Sequence, residues 1–241
     1  MTLQADHNGV FIQGMTHPDE LKDFLQFRFS QEEIQEAYAL RLEEAKALAR
    51  SEKTTPLRAF WKLLDRAYNT KSQTLKCGRG CSHCCYTAVA ATQSEWDGIL
   101  NSVREQNIDL HQIIERAYKS ISRVRDTLKS GKDIDQVDWH RLVINQPCPF
   151  LNEDQACAIY ENRPLDCRLV VAYREACTSK NLEHAQRGVV IEEAVGSTIV
   201  ARLQYEQTPK MKRRKFDGTQ KLRLLQHWLI SWQEKNKKKS D

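Results

Sequence analysis

The chain of 241 residues has 37 lysines and arginines against 32 aspartates and glutamates, a formal charge of +5, with 40% hydrophobic and 29% charged residues. That length and apolar content are enough to bury a full core without covalent staples, which excludes both a disordered chain and a cysteine-stapled miniprotein. The longest apolar stretches, such as residues 169–173 and 87–92, are far too short to cross a bilayer, so no membrane partner is expected.

The opening residues, MTLQADHNGVFIQGM, have neither the basic start nor the apolar run of a secretory signal, and a cytosolic location is expected. Pro18, after Thr16 and His17, reads as a first-turn proline followed by the apolar stripe of Leu21, Phe24 and Leu25. Ser30 to Glu33 form a capping-box pattern that opens a helix with Ile34, Ala37, Tyr38, Arg41, Ala45 and Leu48 on one side. Pro56 starts a shorter helix carrying Phe60, Leu63, Leu64 and Ala67. A loop with Gly78 and Gly80 among closely spaced cysteines comes next, and these glycines permit a tight backbone turn.

Beyond the short apolar run at 86–91, Thr92 and Glu95 form a second capping box ahead of Ile99, Leu100 and Val103. Ile113, Ile114, Ala117, Ile121, Val124 and Leu128 predict one long amphipathic helix ending near Gly131. Apolar pairs on either side of residues 152–155 predict a small two-stranded loop that presents Cys148 and Cys157 close together. Pro164 is expected to start a helix carrying Cys167, and helical patterns over about 184–206 and 219–234 finish the chain, the last with Leu222, Leu225, Leu229 and Trp232 on one side. The fold expected is mainly α: a helical bundle-like domain with a loop-rich cysteine metal centre and a short β-hairpin. The segments expected are an N-terminal helical region over 1–70, a cysteine-cluster metal-binding domain over 71–180 and a C-terminal helical region over 181–241 packing on that domain.

All eight cysteines lie between residues 77 and 177. A reducing cytosol disfavours structural disulfides, so such density points to metal thiolates ahead of redox thiols. Cys81 and Cys84, as Cys-x-x-Cys, let two sulfurs converge on one ion, and Cys77 is near enough to add a third. Cys84 and Cys85 are consecutive, so their side chains are expected to diverge, with one serving a second ion or a bridging position. Cys148, Cys157 and Cys167 supply the remaining donors. The set allows two tetrathiolate sites, one iron–sulfur cluster with spare thiols, or a compact dinuclear site. Lys76, Arg79, Arg163 and Arg168 flank the cysteines. Arg163 and Arg168 are the cofactor-binding candidates, neutralising thiolates or holding a substrate carboxylate, although the same guanidinium fork also caps loop carbonyls. His83 is read as a solvent-facing residue of the turn and Cys177 as a free thiol.

The pattern Cys77-x3-Cys81-x2-Cys84-Cys85, then Cys148-Pro-Phe-Leu, then Cys157-Ala-Ile-Tyr160-Glu-Asn-Arg163-Pro164-Leu-Asp-Cys167-Arg168, resembles the bacterial cysteine-cluster family known by its CxxCxxCC signature. That family is described as zinc- or iron-chelating and includes proteins similar to flagellin lysine N-methylases. The resemblance covers residues 77–168 and implies seven metal-ligating positions, Cys77, Cys81, Cys84, Cys85, Cys148, Cys157 and Cys167. The extra residue between the first two cysteines departs from the pattern and loosens the attachment of Cys77. Cys177 lies outside it.

Two functions follow as expectations. Thiolates holding zinc make a rigid scaffold for a protein partner or a nearby site, whereas an iron–sulfur cluster serves redox or methyl-transfer chemistry, as the likeness to N-methylases implies. Thiol–disulfide exchange through Cys81 and Cys84 is weaker, because the strand-to-helix setting of such motifs is missing. The basic runs at 210–215 and 235–239 lack interleaved aromatic residues, so a nucleic-acid partner is not expected. Trp61, Trp96, Trp139, Trp228 and Trp232 are read as packing residues. With no Gly-rich nucleotide loop, nucleophile elbow or paired acid/base spacing, the sequence assigns no reaction.

Overall fold

The computed structural model describes residues 4–5, 11–14, 29–71, 77–131, 137–169, 186–189, 191–208 and 222–240. In chain order its elements are β1 (Gln4–Ala5), β2 (Phe11–Gly14), α1 (Gln31–Glu52), α2 (Pro56–Lys71), β3 (Ala90–Ala91), α3 (Gln93–Glu105), α4 (Leu110–Arg116), α5 (Tyr118–Lys129), α6 (Trp139–Val143), α7 (Leu165–Leu169), β4 (Gln186–Val189), α8 (Ile191–Gln207), β5 (Arg223–Leu224) and α9 (Leu225–Ser240). Single 3-10 turns occur at His83–Tyr86 and Tyr160–Asn162. The protein is thus mainly α-helical. Cys177, Lys76, the helix expected after Pro18 and the basic run at 210–215 lie outside the described residues.

The described chain divides into two units, Met1–Cys77 with Arg168–Gln220, and Gly78–Cys167 with Lys221–Asp241. In the first unit, Ser30 caps α1 as its sequence requires: its hydroxyl accepts from the Glu33 amide at 3.1 Å, and Glu33 accepts from the Ser30 amide at 2.7 Å. Lys53, left-handed at φ 51°, ends that helix. Leu42, Ala45 and Ala49 of α1 are buried, as are Phe60, Trp61 and Leu64 of α2 and Ile199, Val200 and Leu203 of α8, and the three helices pack together. The helical pattern expected from about 184 begins only at Ile191. Residues 186–189 instead pair antiparallel with 11–14, Phe11 opposite Val189 and Gly14 opposite Gln186, so their backbone donors serve a ladder.

The second unit is built on Trp96 and Trp228, whose rings stack at 6.0 Å with 11° between planes, and the Trp228 indole donates to the Ala91 carbonyl at 2.9 Å. Ile99, Ile113, Ile121, Val124, Phe150, Ile159 and Leu229 complete this core. Thr92 and Glu95 form the expected capping box of α3. The single helix expected over 113–128 is two, α4 and α5, because Ala117 turns out of the helical region at ψ 14°. Ile113 and Ile114 before the bend and Ile121 and Val124 after it still reach the same core, which is why the stripe looked continuous. The expected two-stranded loop is a tight reversal closed by a bridge between Leu151 and Cys157.

Candidate metal centre

The first cysteine segment enters the second unit through a turn in which the Cys81 amide donates to the Gly78 carbonyl at 3.1 Å, with Gly80 at φ 93°. Only a glycine adopts that conformation without strain. Cys84 and Cys85 follow on the 3-10 turn, where the Cys85 amide donates to the Ser82 carbonyl at 2.9 Å and the Cys84 carbonyl takes both the Thr87 hydroxyl and the Thr87 amide. On this turn the two consecutive thiols are close enough to act on each other, Cys85 being the largest cause that raises Cys84.

The second segment is fastened directly to the first. The Cys148 amide donates to the Cys85 carbonyl at 2.6 Å and the Asn145 amide to the Tyr86 carbonyl at 2.8 Å. At the reversal, the Asn152 amide donates to the Ala156 carbonyl at 2.9 Å and its side-chain oxygen accepts the Ala156 amide at 2.7 Å, while Gln155 takes the left-handed conformation at φ 57°. The Gln155 carbonyl oxygen Oε1 then accepts from the Ser82 hydroxyl at 3.2 Å and the Tyr86 hydroxyl at 3.3 Å. The sequence places the loop at residues 152–155 but does not reveal the bonds that the Asn152 and Gln155 side chains make there.

Cys84, Cys148, Cys157 and Cys167 feel one another electrostatically. Burial first, then Cys157, pushes the Cys148 thiol up to about 12, while the Phe150 and Leu151 amides turned toward its sulfur work in the opposite direction. Cys167 is held well above the ordinary thiol range by burial, then by Cys148, Cys84 and Cys157. Cys84 is raised by its bond to Cys85, by burial and by the Cys85 charge, and Arg163 opposes the rise. Cys148, Cys157 and Cys167 also pack against the apolar core. Cys84, Cys148 and Cys167 are therefore held protonated at neutral pH unless a cation replaces the protons.

Arg163 lies over the Tyr160 ring at 4.0 Å, with Arg79 over the same ring at 5.6 Å and paired with Glu161 at 3.8 Å. Arg168 is placed elsewhere: it belongs to the first unit, 1% exposed, ion-paired with Asp65 and lying over the Trp61 ring at 4.9 Å. Cys77 is likewise assigned to the first unit, Cys81 closes the glycine turn, and His83 opens the 3-10 turn half-buried. None of the seven described cysteines is in a disulfide. Among the described residues, no group of three or more His, Cys, Asp or Glu side chains converges tightly enough to hold a metal ion as it stands. The donor chemistry itself fits a thiophilic cation. Soft sulfurs from both segments lie within electrostatic reach, two amides turn toward one of them, and a guanidinium offsets their charge.

Residues 76–188 match the family model CxxCxxCC, described as "Putative zinc- or iron-chelating domain", over just under half of the chain. This is the family whose cysteine pattern the sequence resembles. No curated protein and no solved structure matches the chain. Among the described residues, no helix is long and apolar enough to cross a membrane.

Proposed function

We propose that this protein chelates one zinc or iron ion through Cys84, Cys148, Cys157 and Cys167, with Cys85 and Cys81 as neighbouring donors and Cys77 the loosest of the seven. The observation that carries this reading is the direct fastening of two cysteine segments some sixty residues apart, the Cys148 amide on the Cys85 carbonyl at 2.6 Å, which brings Cys84 and Cys157 near enough to act on Cys148 and Cys167. A bound ion supplies the positive charge that makes four thiolates preferable to four thiols. The chain's own residues do the rest. The backbone bonds between 85–86 and 145–148 hold the two segments in register, the Phe150 and Leu151 amides favour the Cys148 thiolate, and Arg163 offsets the excess negative charge. Residues 71–180 are the unit of chelation in this reading, the location is the cytosol, and a closed tetrathiolate makes the domain a scaffold for a protein partner.

The donors in excess of four favour a second reading, an iron–sulfur cluster. Cys85 stands against Cys84, and Cys81 lies three residues before it. Anaerobic purification followed by metal and acid-labile sulfide analysis separates the two. About one zinc per chain without sulfide is expected from the tetrathiolate, and brown protein with sulfide from the cluster. Protein free of any transition metal, and unable to take up zinc or ferrous iron, rejects both.

A further inference from the structure

Glu95 is 2% exposed, yet a capping box asks for only one of its oxygens. Its Oε2 accepts the Thr92 amide at 2.8 Å and the Thr92 hydroxyl at 2.9 Å, and so meets that demand. Its Oε1 reaches across seventy residues of sequence to accept the Leu165 amide at 2.7 Å. Leu165 opens α7, where Pro164 precedes it and offers no capping side chain, so the orphan donor of this helix start is satisfied from a distant element. The next residue repeats the tie in the opposite sense: Asp166 Oδ2 accepts the Ala90 amide at 2.9 Å. Cys167 follows immediately.

Burying a carboxylate is costly, and a glutamine is accepted in the same capping box. A glutamine has a single acceptor oxygen, so it can serve Thr92 or Leu165 but not both. A carboxylate at residue 95 is needed only if both ties matter. From this geometry we infer that Glu95 and Asp166 are positioning residues of the thiol cluster, a two-carboxylate clamp that locks the start of α7 onto β3 and the start of α3 and so aims Cys167 at Cys84, Cys148 and Cys157. The role in ligation rests on the chelation proposed above; the aiming of Cys167 does not.

Two readouts test it on the full chain. In chelator-treated protein, Glu95→Ala and Asp166→Ala are expected to raise the iodoacetamide alkylation rate of Cys167 at least about tenfold, read by peptide mass spectrometry, while Cys148 changes less than about twofold. In protein loaded with Co(II), both variants are expected to lose about a quarter of the thiolate charge-transfer intensity, one thiolate of four. Thr92→Ala is the control, since it weakens the start of α3 but leaves the Leu165 amide its acceptor, and neither readout should move. Unchanged Cys167 alkylation in the folded variants overturns the clamp, as does a Thr92→Ala variant that reproduces their effect. Should Glu95→Ala fail to fold, Asp166→Ala alone decides by the same criteria. Wild-type protein that takes up no cobalt sinks the chelation reading, and the alkylation rates then decide the clamp by themselves.

Discussion

Cys167 and Arg168 are sequence neighbours that belong to different units, and the two units bury polar groups by opposite means. In the first, charge is balanced from within. Arg168 pairs with Asp65 and lies over Trp61, and Arg41 gives Nη2 to Glu192 Oε1 at 2.9 Å, Glu192 being 1% exposed. In the second, beside hydrogen-bonded groups such as Glu95, the half-buried thiols of Cys84, Cys148 and Cys167 are held toward the protonated form by burial and by neighbouring cysteines, with one guanidinium as partial relief. A unit that carries its own counterions needs nothing further, whereas a unit that gathers acids of one kind is completed by a cation from outside. The difference teaches where the chain spends its own charges and where it leaves room for an inorganic one.

The hardest blow to that contrast is to remove a donor. Cys148→Ser is expected to lower zinc or iron affinity by at least about a hundredfold, because structural tetrathiolates bind with on the order of 10 kcal/mol or more that is also folding energy. Hydrogen exchange should show amides around residues 145–158 losing protection, with α1 and α2 unaffected. Full metal loading in the serine variant excludes Cys148 as a ligand. The complementary blow falls on the internally balanced unit. Asp65→Ala takes from buried Arg168 its carboxylate partner and is expected to cost about 3 kcal/mol of stability, read by urea denaturation, with metal content unchanged. If the loss is no more than a few tenths of a kcal/mol, the pair is ornamental and the contrast fails on that side. Asp65→Ala combined with Arg168→Met should recover part of the loss, since no stranded charge then remains.

How far the sequence foretold all this depended on the range of the forces involved. The capping boxes at Ser30 and Thr92 and the turn through Gly80 are local, and local chemistry placed them correctly. Where a tertiary partner decides, pattern reading went astray. Residues 186–189 are a strand because 11–14 lie beside them, and the bend at Ala117 is hidden by a stripe that continues across it. At the site, spacing raised the expectation that cysteines of the two segments act together. It did not show the Gln155 bridge, the second oxygen of Glu95, or that Arg168 faces Asp65, because each is a contact between remote segments that leaves no periodic trace.

A smaller effect sharpens the comparison within the second unit, by asking whether any of its groups responds to protons independently of the thiols. His227 is lowered to about 4, by burial first and the Arg223 charge second, with its ring edge-on to Trp139 at 4.5 Å and its Nδ1 buried without a partner. The unfolded chain takes up the proton near 6.5, so below that pH it binds more protons than the folded protein. Stability is expected to be full above about 6.5 and to fall as pH drops toward 4. The loss is about 1 kcal/mol once the ring's residual exposure is allowed for. His227→Phe removes the titration and costs no hydrogen bond at Nδ1, so it should flatten this part of the pH profile measured by urea denaturation. An identical slope in the variant places the acid sensitivity elsewhere.

The smallest effect separates two glycines of the cysteine loop. A Cβ added at Gly78 or at Gly80 meets nothing within 4 Å, so space does not distinguish them. Backbone conformation does, because Gly80 sits at φ 93° and Gly78 does not share that region. Gly80→Ala is expected to cost about 1 kcal/mol and to loosen the approach of Cys81 to Cys84, while Gly78→Ala is close to neutral or slightly stabilising, since it restricts the unfolded chain. In Co(II) titrations only the Gly80 variant should bind more weakly, by about fivefold if the full strain appears in binding. Equal weakening by both would mean that general flexibility of the loop matters, and that the left-handed turn has no particular hold on the first cysteine segment.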